Sequence, residues 1–242
     1  MIINGKEYNR QNLGKLFDYA MLSPDVTREQ VKKHLELAIK YNVSGVHCNP
    51  YWIPLVADTL EGTGIQTGIV PSFPVGCDST KMKVHQVEEY CKFLHGRPGC
   101  VDSVVNIGLL RGGELKEFTN DIKELVKLSH YYGYDFKCIL ETTFLTDEQV
   151  ATAAKCAAEA GVDYVKAASG RSGCADLKHL NIIKANVPEG QKFKFSAMGT
   201  INVTEQTIMG LTIGATLFGT GYAHRIIEEI ETYYKDLVIT TK

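Results

Sequence analysis

Lys166 stands in the stretch DYVKAASGRSG (163–173), between Tyr164, Val165, Ala167 and Ala168 and just ahead of a glycine-bearing turn. Lysine is among the residues least often fully buried, so its place in an apolar strand asks for a use. A lysine taken out of water beside a second cation has a lowered pKa, and its neutral amine can attack a carbonyl to form a Schiff base. Strand side chains alternate in direction, which puts Tyr164, Lys166 and Ala168 on one face and Val165 and Ala167 on the other. The same parity turns Asp102, Val104 and Asn106 inward on a fourth strand, Lys137, Ile139 and Glu141 on a fifth, and Lys192, Lys194 and Ser196 on a seventh. Asp102 is the candidate acid/base partner of Lys166. The competing reading is a structural ion network, since charges taken out of water must be paired. Several inward charges at strand ends facing one cavity favour function.

Three glycine-bearing turns, Gly170-Arg171, Gly199-Thr200 and Gly219-Thr220-Gly221, follow the sixth, seventh and eighth strands. Such loops bind phosphate or another anion through backbone N–H groups and a helix N-terminus, although glycines also serve tight turns. The histidines at 34, 47, 85, 95, 130, 179 and 224 show no metal-ligand spacing, and no metal site is expected. Pro50-Tyr51-Trp52 has no basic residues interleaved and reads as substrate wall or core.

These residues need a scaffold, and the chain alternates short β-branched runs with amphipathic stretches throughout. Strands are predicted at 16–21, 44–48, 66–70, 103–107, 136–141, 163–167, 192–197 and 215–219. Between them, spacings such as Val31, Leu35, Ala38 and Ile39 put an apolar stripe on one helix face. Thr27, Thr146 and Thr204, each followed by Glu/Gln, read as helix starts, and Asn42, Gly161 and Gly214 as left-handed helix ends. Eight strand–helix alternations in 242 residues predict an α/β fold of the (β/α)8 TIM-barrel type, occupying 1–242 as a single domain. An open doubly wound sheet is the alternative.

Lys+Arg 26 against Asp+Glu 28 gives a net charge of -2, with no basic excess for a nucleic-acid backbone, so small molecules are the expected partners. Seven cysteines without a C-x-x-C pair read as a reducing compartment. MIINGKEYNR lacks signal-peptide features, and no run reaches the roughly 18 to 20 apolar residues of a membrane span. A cytoplasmic protein with no membrane partner is expected.

The stretches FDYAMLSPDVT (17–27), CNPYWIPL (48–55), VPSFPVG (70–76), VDSVVNIGLLRGG (101–113), KCILETTFLTDE (137–148), AGVDYVKAASG (160–170) and GTI (199–201) occur in an order and spacing far more specific than any one of them. Over nearly its whole length the chain resembles the deoxyribose-phosphate aldolase family. The resemblance implies a (β/α)8 barrel and a Schiff base between Lys166 and a small aldehyde donor, which then adds as an enamine to an acceptor aldehyde phosphate. It implies proton transfer by Asp102, a first-strand aspartate at Asp18, a strand-five lysine at Lys137, no cofactor, a small carbonyl or sugar-phosphate substrate and a homodimer. Asn49, Asn106, Glu141, Lys194, Ser196, Gly170, Arg171, Gly199, Thr200, Gly219 and Gly221 are the further candidate substrate-binding positions.

The departures are specific. Aligned on Gly199 and Ile201, Ser196 stands where the family carries its second active-site lysine, and Lys194, of the same parity, lies two residues or roughly 6 to 7 Å deeper. Gly221 and Tyr222 replace small hydroxyl residues, Thr200 and Asn202 replace a glycine and an arginine, and Ala167-Ala168 replace Thr-Ser, while Arg171 keeps a basic phosphate-side position. Tyr19, Ser23 and His47 also differ from the residues usual there. The expected activity is that of a carbon–carbon lyase with an altered phosphate site partly filled by Tyr222. The rivals are a degenerate barrel that only binds a sugar phosphate, and a Schiff-base lyase acting on another keto sugar.

Overall fold

The computed structural model describes residues 1–196 and 202–241. Eight strands, β1 (Phe17–Met21), β2 (Gly45–Cys48), β3 (Gln66–Ile69), β4 (Gly99–Val104), β5 (Asp135–Ile139), β6 (Tyr164–Lys166), β7 (Lys192–Ser196) and β8 (Leu217–Thr220), pair in parallel in chain order. β8 returns to β1 and closes the barrel, which excludes the open sheet. The helices wrapped around it are α1 (Arg28–Lys40), α2 (Ile53–Thr59), α3 (Thr80–Leu94), α4 (Ile107–Gly112), α5 (Leu115–Tyr131), α6 (Asp147–Glu159), α7 (Leu177–Ala185), α8 (Val203–Ile213) and α9 (Ala223–Tyr233).

Strand alternation divides the core into two layers of opposite character. Outward-facing Phe17, Val46, Val101, Phe136, Val165 and Phe195 are buried under the helices. Inside the barrel, where branched apolar residues usually fill the layers, Asp18, His47, Asp102, Lys137, Lys166 and Lys194 meet instead, all at 5 % exposure or less. The barrel thus encloses ions within an apolar sleeve.

Local chemistry sets the helix boundaries. Thr27 and Thr146 each accept from the N3 backbone while Gln30 and Gln149 close the box in return. The third expected start differs: α8 begins at Val203 after Asn202 in the left-handed region, and Thr204 lies inside the helix with its hydroxyl bonded to Glu229. Asn42, Gly161 and Gly214 all have positive φ, as their place at helix ends predicts.

The fourth strand is also corrected. It runs over Gly99–Val104, and Asn106 lies beyond it as the cap of α4, accepting from Leu109 N at 3.3 Å. The end of this strand is tied from outside by buried Lys83, whose Nζ donates to Val104 O at 3.2 Å and to Asp121 Oδ2 at 2.7 Å. That contact joins α3, α5 and β4 two residues beyond Asp102.

Outside the barrel, Ile2–Ile3 pairs antiparallel with Lys6–Glu7 and parallel with Val238–Ile239, joining the two ends of the chain.

Candidate active site

Asp102 is the hub of the interior. Its Oδ2 accepts from Lys166 Nζ at 2.9 Å and Lys194 Nζ at 2.8 Å, and its Oδ1 lies 3.0 Å from His47 Nε2 and 3.9 Å from Lys137 Nζ. Asp18 is the second anion. Its Oδ2 accepts from Lys137 Nζ at 2.6 Å and also from Lys194. Lys194 therefore bridges the two carboxylates, and the register pairs its residue directly with Lys166 on the neighbouring strand. The seventh-strand lysine needs no shift of the strand to meet the carboxylate that Lys166 donates to. Ser196, one pleat higher, instead donates to Ala168 O at 2.7 Å and laces β7 to the segment just past β6.

The charges do not balance. Three lysines face two carboxylates among these interior residues, and the surplus falls on Lys166: Lys137 lies within 4 Å of both carboxylates, while Lys166 pairs with Asp102 Oδ2 alone and shares it with Lys194. Burial pushes the Lys166 amine down, Asp102 pulls against it and Lys194 reinforces the fall, leaving a pKa of about 8. Lys137 goes the other way: burial opposes its charge, but Asp18 outweighs that and raises it well above the ordinary lysine value. Asp102 pays for its burial, yet Lys166, Lys194 and Lys137 hold it ionised well below the usual carboxylate range, and Asp18 is likewise depressed against burial by Lys137 and Lys194. Burial lowers the His47 pKa and keeps its ring neutral.

Above this cluster a cavity of about 250 Å³ opens at the C-terminal ends of the strands, lined among others by Asp18, Lys166, Lys194, Arg171 and Tyr222. This is the face on which barrels of this type carry their chemistry. A buried amine able to lose its proton near neutral pH, a fixed carboxylate and a second ammonium, all below one small cavity, are the parts of carbonyl addition through nitrogen. His47, Cys100 and Asp102 also place potential metal-ligand atoms within 4.8 Å of one another. Lys137 already donates to Cys100 Sγ at 3.2 Å and two lysines occupy Asp102, so this donor set is taken up by ammonium groups.

The other expected positions divide. Ser196, Arg171, Gly219 and Gly221 line the cavity, with Arg171 at the rim, its guanidinium on Leu22 O at 2.8 Å. Gly170, at φ +77°, turns the chain out of β6 ahead of it. Tyr222 forms part of the wall, and its N–H donates to Thr220 Oγ1 at 3.1 Å. Asn49 is a loop tie, donating to Ser23 O at 2.8 Å. Glu141 lies past the end of β5 at φ +52°, accepting from Ser169 N and lining a separate shallow pocket with Arg111 and Phe144. Lys137 sits deep, between Asp18 and a cleft at the opposite, N-terminal end of the barrel. Gly199 and Thr200 fall outside the described residues. His47 was not among the expected site residues. Its signal was the alternation Val46 out, His47 in, Cys48 out, which places an imidazole inside the barrel.

No protein-family model matches the chain. Among curated proteins it is 31% identical over 223 residues to a deoxyribose-phosphate aldolase of Thermococcus kodakarensis, covering 91% of this chain and 97% of that protein. It is 33% identical over 221 residues to a deoxyribose-phosphate aldolase of Aciduliprofundum boonei, covering 91% and 98%. Among solved structures, an aldolase called QR15 superposes with a TM-score of 0.83 at 24% identity, over 93% of this chain and 99% of that one. The deoxyribose phosphate aldolase from Aeropyrum pernix, described as tetrameric, gives 0.82 at 22% identity over 93% of each.

Proposed function

The chain belongs to the deoxyribose-phosphate aldolase family, and from that premise we propose that it is a Schiff-base aldolase in which Lys166 is the nucleophile and Asp102 and Lys194 carry the protons. The observation that supports this most directly is Lys166 Nζ, buried under the cavity, 2.9 Å from an ionised Asp102 and sharing that oxygen with Lys194.

The neutral Lys166 amine adds to the carbonyl of a small aldehyde or ketone. The resulting carbinolamine loses water, with Lys194 as the nearest ammonium to protonate the departing hydroxyl. The iminium then gives up a proton from its α-carbon, directly or through water, toward Asp102. The enamine carbon bonds to the carbonyl carbon of an acceptor aldehyde as its C=O opens and the oxygen takes back the proton held at Asp102, and addition of water to the iminium then releases the product and returns the lysine. Cleavage of a sugar runs the same steps backwards, and no cofactor enters.

The substrate proposed is a sugar or sugar phosphate. Arg171 supplies the cation at the rim, and Tyr222 narrows the wall on the side of β8. A binding-only barrel drew its motivation from the missing seventh-strand lysine, and Lys194 on Asp102 removes that motivation. On the family ground we also propose a homodimer, and the seven free cysteines fit the cytosol.

The test is borohydride reduction in the presence of acetaldehyde, small ketones and deoxyribose 5-phosphate, followed by peptide mapping. The expected result is an adduct on Lys166 whose formation rises through pH 8. A folded protein that gives no adduct with any of these carbonyls overturns the reading.

A further inference from the structure

His47 is 2 % exposed and faces the same interior as Asp18, Cys100, Asp102, Lys137, Lys166 and Lys194. Its Nε2 stands 3.0 Å from Asp102 Oδ1, and Nδ1 has no partner among the described residues. A ring nitrogen against an ionised carboxylate must carry the hydrogen, because a lone pair there would meet the carboxylate's own. The tautomer is therefore Nε2–H donating to Oδ1, with Nδ1 bare.

The space for this ring is made on the adjacent strand. A Cβ built on Gly68 would lie 2.4 Å from both His47 Nε2 and His47 Cδ2, so any larger residue displaces the imidazole from its contact. A neutral donor on Oδ1 and two ammonium groups on Oδ2 give the carboxylate one orientation. Without the imidazole, Oδ1 is free to rotate toward the lysines, and Lys137 Nζ already waits at 3.9 Å.

We propose that His47 is a positioning residue for the Lys166 site, holding Asp102 through Oδ1 so that the other carboxylate oxygen alone is presented to Lys166 and Lys194. The proposal rests on the Schiff-base reading of Lys166. A neutral donor aligns the carboxylate without adding a charge to a cluster that already has a surplus cation. A lysine or arginine at the same place would align it and worsen the imbalance.

The experiment compares the wild type with His47→Ala, His47→Gln and Gly68→Ala, each shown to be folded by circular dichroism. It reads the pH dependence of borohydride trapping on Lys166, together with kcat and KM for cleavage of deoxyribose 5-phosphate. In His47→Ala the carboxylate loses its hydrogen bond on Oδ1 and is free to pair more closely with Lys166, so the trapping midpoint moves up by about one pH unit and kcat falls on the order of tenfold, with KM little changed. Gly68→Ala, which leaves the histidine in the sequence but pushes its ring aside, gives the same displacement. His47→Gln, whose amide can still donate, recovers most of the wild-type profile. An unchanged midpoint and kcat in both His47→Ala and Gly68→Ala overturn the role while leaving the aldolase reading intact. Absence of any wild-type adduct overturns both.

Discussion

Lys137 and Lys166 are both buried inside one barrel beside ionised carboxylates, and the fold treats them oppositely. Lys137 sits at the deep end with Asp18 Oδ2 at 2.6 Å, and its charge is stabilised beyond that of a free lysine. Lys166 sits at the cavity end and ion-pairs with Asp102 alone among the described residues, whereas Lys137 also lies 3.9 Å from Asp102 Oδ1; with Lys194 on the same Asp102 oxygen, Lys166 is brought to about pKa 8. Burial is nearly equal for the two, so burial does not decide. The share of negative charge available to each ammonium does, and one barrel thereby holds both a firmly charged lysine and one that can lose its proton near pH 8.

The largest effect that tests this contrast is catalytic. Lys166→Met is expected to lower turnover by on the order of 10⁴-fold or more while the far-ultraviolet circular dichroism is unchanged, because the proposed nucleophile is lost. Activity within tenfold of wild type would remove Lys166 from the mechanism.

Next in size is the stability of the deep pair. Lys137→Met leaves Asp18 with fewer compensating charges in a dry interior and is expected to cost about 3 kcal/mol in urea unfolding at pH 7. The sign reverses at the other lysine. With a folded pKa near 8 and an unfolded value of about 10.4, Lys166 penalises the fold fully below pH 8. Between those two values the unfolded chain holds a proton that the folded one lacks, and the penalty fades as pH rises. Lys166→Met should therefore unfold at higher urea than wild type at pH 7, with the advantage shrinking by pH 10. Equal signs for the two lysine variants would break the comparison. The smallest effect lies outside the barrel: Thr146→Ala removes the cap of α6 and should cost about 1 kcal/mol without moving the Lys166 trapping profile.

Much of the architecture was legible because periodicity carries it. Alternation in DYVKAASG put Lys166 inside, and two threonine capping boxes marked helix starts where the structure has them. The fourth strand was misread because the apolar run of VVNI continues past Val104 into α4, and periodicity does not separate a strand end from a helix start within one short run. Thr204 looked like a cap by composition, yet Asn202 turns the chain and the threonine enters the helix. Lys194 was read as too deep because depth was counted along one strand from a loop anchored at Gly199. Cross-strand register places it beside Lys166, and register is not written in a single strand's sequence. The interplay of His47 with Gly68 is invisible for the same reason: the two residues are neighbours only once β2 and β3 are paired.

The short sheet outside the barrel has a mechanical consequence. Ile2–Ile3 and Val238–Ile239 run parallel, stitched by Ile2 N–H to Leu237 O and Asn4 N–H to Ile239 O, both at 2.8 Å. Force applied through the outer ends of these strands pulls them along their length in opposite senses, so the clasp is loaded in shear and its bonds share the load. A hairpin pulled at the same rate would peel one bond at a time. Stretched from its ends, the molecule should hold until the clasp slips as a unit, and only then pass tension to the barrel that encloses the lysines.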